Sequence, residues 1–304
     1  MISFRYHLVS IIGVFLALAL GIVIGTTALN GPITTDLRKQ VNTLKSDRSS
    51  LAQQVKTLQG QLSDAGQFAS SFGSQIVSGT LTKQNVLMIG LPGAVGSVQD
   101  GIAKQIAAAG GRVSGQVQLT AAYVDQRRGS DIFSLATGNV RPLGLTLPQV
   151  NDPGQLGGAL LAYVLLGKGQ PTDLSQVIGA FSELHMISVS GSITPSTTVV
   201  VVGTGALPNG DYGAKSENSL VIALQKAGAH VVVAGDAASD TQAGIVAEVR
   251  NGAGTRTSVS SVDNADGAIG QVTTTLALAD AINANFGGYG TGKGADALFP
   301  LPAK

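Results

Sequence analysis

The stretch Thr197-Thr198-Val199-Val200-Val201-Val202-Gly203-Thr204-Gly205-Ala206 decides the fold class. Successive side chains of a strand point to opposite faces, so four consecutive valines leave no face for water. Such a strand belongs in the middle of a parallel sheet covered by helices on both sides. The surrounding sequence has the same rhythm. Asn85–Gly93 (NVLMIGLPG) reads as a strand ending in a glycine turn. Val98–Gly111 reads as a helix with a glycine stop, and Arg112–Leu119 as a second strand. Helices follow around Gln155–Leu166 and Leu174–Leu184. Strand patterns then recur at Met186–Gly191 and His230–Asp236, with a helix near Asn218–Ala227 between the valine run and the last strand. Alternating strands and helices predict a three-layer α/β/α domain with a mostly parallel sheet over 83–286.

Upstream of that domain the pattern is different. MISFRYHLVSIIGVFLALALGIVIGTTALNG carries no charged side chain between His7 and Asp36, and Leu8–Leu29 is almost continuously apolar. As a helix rising about 1.5 Å per residue it reaches roughly 33 Å, enough to cross a hydrocarbon core of about 30 Å. It exceeds the apolar core of an ordinary secretory signal, and the best cleavage candidate, Thr26-Thr27-Ala28, lies at its far end. The reading is a transmembrane signal anchor over 1–30, single-pass, with the bulk of the chain extracytoplasmic in the cell envelope. Cleavage as a signal peptide is the alternative. The flanking charges, Arg5 before and Asp36, Arg38 and Lys39 after, orient it only weakly.

Between anchor and domain, over 31–82, apolar side chains recur in alternating steps of four and three. Leu37, Leu44, Leu51 and Leu58 occupy the d positions of a heptad, and Val41, Arg48, Val55 and Leu62 the a positions. Leucine at d with β-branched residues at a favours a parallel two-stranded coil, and a charged a residue such as Arg48 restricts register at a cost in stability. The expectation is a coiled-coil stalk joining a homodimer or a helical partner. The alternative is an amphipathic helix packed on its own domain. Phe68, Phe72 and Ile76, four apart, read as the face on which this helix docks onto the following domain. If helical throughout, Asp36–Thr80 makes a rod of roughly 67 Å that holds the domain away from the membrane.

Composition narrows the function classes. The 304 residues have a net charge of +1 with 12% charged and 4% aromatic side chains and no tryptophan. That excludes the basic footprint of nucleic-acid binding and the stacking platforms used for single strands. The absence of cysteine fits an oxidising compartment and removes thiol chemistry.

No pattern in the sequence assigns an enzyme or a cofactor. Gly90-Leu91-Pro92-Gly93-Ala94-Val95-Gly96 follows a strand, as phosphate loops do. Its spacing is neither dinucleotide fingerprint nor P-loop, and Pro92 removes a donor, so turn glycines are the better account. Gly203-Thr204-Gly205 is weaker still. Asp236 and Asp240 after a strand end read as capping residues, and Asp263 and Asp266 as turn and cap residues before a final helix over Gly270–Asn283. For copper or zinc, the chain offers Met1, Met88, Met186, His7, His185 and His230. The methionines at 88 and 186 read as core, and His185-Met186 is a single pair where such metals take three or four ligands. No metal site is assigned.

The end of the chain, SSVDNADGAIGQVTTTLALADAINANFGGYGTGKGAD, reads as that final helix and then a Gly-rich C-terminal tail over 287–304, a flexible turn pinned by Tyr289. Together with the opening MISFRYHLVSIIGVFLALALGIVIG, the DAGQF closing the heptads and the strand VLMIG, it resembles the actinobacterial MctB family. The resemblance runs over most of the chain and is most specific at the two ends. It implies copper homeostasis, by transport or efflux. A SteB-like branch of the family implies instead an envelope scaffold that binds a SteA-like partner and regulates septal peptidoglycan hydrolysis in cell division. A β-barrel pore does not fit, because the apolar runs are continuous or helically spaced rather than alternating in segments of about ten.

Overall fold

The computed structural model describes residues 4–205, 210–241, 244–252 and 254–301. Met1 and the last three residues of the Gly-rich segment lie outside them. The chain divides into two compact units, Met1–Asp64 and Ala65–Lys304.

Among the described residues, unit Met1–Asp64 is helix alone. It is the greater part of α1 (Phe4–Val77), one helix of 74 residues. Within it Phe4–Thr26 is 23 residues long with a mean hydropathy of 2.8, long and apolar enough to cross a membrane by length and composition.

Unit Ala65–Lys304 is the α/β domain. Its strands are β1 (Asn85–Gly90), β2 (Arg112–Leu119), β3 (Ile187–Ser190), β4 (Thr198–Gly203), β5 (His230–Gly235), β6 (Ser260–Val262) and β7 (Gly288–Tyr289). They form one sheet in the order β3-β2-β1-β4-β5-β6-β7. Every pairing is parallel except that of the edge strand β3 with β2, as the mostly parallel reading requires. The helices are α2 (Gly96–Ala108), α3 (Gly129–Thr137), α4 (Pro153–Leu165), α5 (Pro171–Glu183), α6 (Gly210–Lys226), α7 (Ile245–Asn251) and α8 (Ala268–Ile282).

The valine run explains the layering. Val199 and Val201 join one apolar core with Leu87, Ile89, Val231 and Val233, beneath α3, α4, α5, α6 and α7. Val200 and Val202 join the other with Val86, Met88, Val232 and Ala234, beneath α2, α8 and the end of α1. Strand side chains alternate, so one tetravaline segment feeds two cores and is buried throughout. The result is three layers, α/β/α.

Two expectations are corrected. Phe68, Phe72 and Ile76 are not buried against the domain: they remain 61%, 46% and 48% exposed, with Phe68 and Ile76 along an open apolar cleft shared with Val272 and Leu276 of α8. The docking face is instead Ala69, Gly73 and Val77, all buried. A Cβ on Gly73 would stand 2.5 Å from Val272 Cγ2 of α8, so backbone and side chain approach too closely for anything larger than glycine. Small residues let the helices close up, which a row of phenylalanines would prevent.

The second correction concerns the C-terminal segment. Gly288–Tyr289 is not a tail but the last strand of the sheet, with Ser261 paired to Gly288 and Val262 to Tyr289.

Candidate functional site

Each residue of the heptad seam lies on α1 with its side chain free of the rest of its own unit. Leu37, Leu44, Leu51, Leu58 and Leu62 are 60–69% exposed, Val41 and Val55 about half exposed, and Arg48 is exposed between them. Helical periodicity places them on one stripe, since residues three and four apart share a face.

In the α/β unit the strand order reverses between β1 and β4, and open sheets of this kind bind ligands where that reversal opens a crevice at the strand ends. Here the crevice carries the two glycine turns. Gln118 Nε2 donates to Leu91 O at 2.9 Å, and Gln99 Nε2 donates to Gln118 Oε1 at 2.9 Å, so two amides lie over Gly90. Across it, Thr204 Oγ1 donates to Asp236 Oδ2 at 2.7 Å. Asp236 also accepts from Ser239 N at 3.0 Å, capping the short 3-10 turn Ala237–Asp240 as its sequence position suggested. A carboxylate at this turn works against phosphate binding, in agreement with the turn-glycine reading.

Asp240 and Asp263 have a different role from the capping and turn positions expected of them. Asp263 is 1% exposed, and its Oδ2 accepts from Arg250 Nη1 at 2.8 Å. The same nitrogen donates to Asp240 Oδ1 at 3.0 Å, while Nε reaches Ser261 Oγ at 3.1 Å and Nη2 reaches Tyr289 O at 2.8 Å. Asp263 further accepts from Thr291 N and Gly292 N, at 2.9 and 2.8 Å, and Asp240 accepts from Lys293 N. Carboxylates meeting successive backbone N–H groups require glycine-rich backbone beside them. A Cβ on Gly290 or Gly292 would collide with the Asp263 carboxylate. The Gly-rich composition thus builds a buried charge lock, with Arg250 the residue that sequence reasoning missed. Its only signal was an arginine, two residues after Glu248, in a short and mostly apolar helical segment.

A second polar group is buried beside the first core. Glu217 on α6 is 3% exposed, and its Oε1 has no hydrogen-bond partner among the described residues. Burial pushes its carboxyl up to about 8, so it is largely neutral at pH 7. The buried Tyr123 hydroxyl is likewise unpartnered and is raised by burial first, then by the nearby Tyr212, Asp152 and Glu217. On the outer side of α4 and α6, a cleft of about 510 Å³ runs under the 144–148 segment. Lys168 and Lys226 stand among its lining residues, which include no acidic side chain.

Among the described residues no three His, Cys, Asp or Glu side chains converge to hold an ion. Met88 and Met186 are buried in the two cores, as their strand context predicted. His185 takes a left-handed backbone, φ 55°, at the turn between α5 and β3.

Comparison with known proteins places this architecture. The family described as "Copper transport outer membrane protein, MctB" matches residues 1–300. A protein named "Copper transporter MctB" from Mycobacterium tuberculosis is 32% identical over 309 residues, covering 97% of this chain and 98% of its own. The protein of the same name from Mycobacterium bovis matches equally, and that from Mycobacterium leprae is 30% identical over 314 residues, covering 98% and 99%. Span, helix and α/β domain are therefore all inside the matched region, and the chain belongs to the MctB family.

Proposed function

We propose that this protein is a single-pass membrane protein of copper transport, with its α/β domain held outside the cytoplasm and copper as cargo handled together with partners. The observation that carries the reading is the pairing of near-full-length similarity to proteins named copper transporters with one apolar helix, Phe4–Thr26, at the start of the same matched region. A lone helix of this kind encloses no path for an ion, and it offers no polar stripe from which several copies could build one. The soft-ligand inventory is equally thin, three methionines, three histidines and no cysteine, and among the described residues no three His, Cys, Asp or Glu side chains converge. The role assigned is consequently that of an anchored component rather than a pore or an enzyme.

The test is a deletion strain complemented with the parent chain or with Val14→Asp/Leu18→Asp, which places two carboxylates at the centre of the span. The deletion is expected to change cellular copper content and lower copper tolerance. The parent should restore both, and the span variant neither. Unchanged copper content and tolerance in the deletion overturns the reading, and chained cells in that strain would point to the cell-separation branch instead.

A further inference from the structure

We propose that the stripe on α1 from Leu37 to Leu62 binds a second copy of this chain, as a parallel, in-register pair in which Arg48 of each copy is neutralised by Asp47 of the other. The stripe is exposed along its whole length, so nothing in its own unit competes for it. Leucine at every d position and valine at two a positions is the side-chain choice that favours two parallel strands.

Charge decides between a second copy and a different helix. In this register Arg48 occupies a and Asp47 the g position before it. Adjacent residues on one helix do not face each other, so Asp47 cannot neutralise Arg48 within its own helix. Neither side chain has an ion-pair partner among the described residues. In a parallel coil, the hole that receives an a side chain is bounded by the partner's preceding g residue. Two copies therefore set each Arg48 beside the other's Asp47, twice across one layer, and the two like charges at the seam are both offset. An antiparallel pair places a against d and loses this match. Of the remaining e and g positions only Arg38 and Lys45 are charged, and both are cationic, while Gln40, Ala52, Gln54, Gln59 and Gln61 are neutral, so the Asp47–Arg48 layer is the one place where opposite charges meet across the seam. The parallel direction also rests on the anchored reading, since two spans in one membrane start their helices from the same side.

The chain contains no cysteine, which makes disulfide trapping direct. Full-length Leu44→Cys and Leu51→Cys, at d, are compared in membranes with Ser46→Cys and Gln53→Cys, at f, using diamide as oxidant. The d variants should form linked dimers and the f variants none, and mixing Leu44→Cys with Leu51→Cys copies should give no link between them. Adding Arg48→Glu to Leu51→Cys should reduce linking to background, and Asp47→Arg/Arg48→Glu should restore it. Absence of d links, or equal linking at f, overturns the pair. Links unaffected by Arg48→Glu, or not restored by the double reversal, overturn the charge layer. Carbonate extraction of the same membranes separates the two readings. A chain that washes off yet still links at Leu44→Cys keeps the pair and loses the anchor, while one that stays and never links keeps the anchor and loses the pair.

Discussion

The two units use the same apolar residue types in opposite ways. In the α/β unit Val199–Val202 are almost fully buried and Leu160 is inaccessible, whereas on α1 Leu44 is 67% exposed and Leu51 60%. Hydrophobicity alone therefore does not locate a core. The strand residues are buried because strands and helices of different sequence separation stack on both their faces. The helix residues of Met1–Asp64 have only their own helix, whose geometry turns every side chain outward. Apolar surface of this second kind needs a cover other than the fold that carries it: in the two proposals above, a bilayer for Phe4–Thr26 and a second copy for Leu37–Leu62.

The strongest way to break the contrast is at the buried charges, because there the α/β unit depends on polar as well as apolar burial. Arg250→Ala leaves Asp263, 1% exposed, without its countercharge, and should cost about 3–5 kcal/mol in denaturant unfolding of the domain. Leu160→Ala removes a fully buried side chain and should cost roughly 2–5 kcal/mol by the same measurement. Its counterpart Leu51→Ala should shift domain unfolding by less than about 0.5 kcal/mol while weakening self-association. A cost for Leu51 comparable with that for Leu160 would end the comparison.

Glu217 sharpens it through pH. Its folded carboxyl titrates near 8, above the ordinary value of 4.5, so the folded state holds a proton that the unfolded state has released. Stability contributed by the neutral acid is full below about 4.5, declines as pH rises from there, and is gone above about 8. Glu217→Gln should match the parent at the acidic end of this window and exceed it increasingly toward pH 8, by on the order of 2 kcal/mol near pH 6. Thermal melts across the window read this directly, and parallel curves for parent and variant would refute it. The smaller effects lie at the helix end. Gly73→Ala forces a Cβ to 2.5 Å from Val272 and should cost roughly 1–3 kcal/mol, more than Phe68→Ser, whose largely exposed ring only lines the open apolar cleft beside α8.

Much of the α/β architecture was legible from local pattern. Arg112–Leu119 was read residue for residue as β2, and β1, β4 and β5 were placed to within a few residues at their ends. Helices α2, α4, α5 and α8 are likewise visible from their apolar spacing, α2 also from its glycine stop. The short elements were not. β6 is three residues and β7 two, too few for any period to show, and α3 and α7, at nine and seven residues, are too short for a helical period to stand out although a glycine follows each. The face on which the end of α1 docks was misjudged because bulk was taken as the mark of a contact, when close helix packing selects small residues.

By itself the sequence determined the long apolar N-terminal segment, the four-three spacing of leucines and valines around Arg48, and a parallel sheet that must be covered on both faces. Each of these is a periodicity, and a periodicity is carried by neighbours along the chain. Tertiary structure alone decided that Arg250 joins Asp240 and Asp263, that a glycine-rich C-terminal segment wraps those carboxylates as the last strand, and that Gly73 rather than Phe72 meets α8. Those contacts join residues far apart in the chain. They exist because a buried charge must find its partner and a close approach must exclude a side chain, wherever in the sequence the needed residue stands.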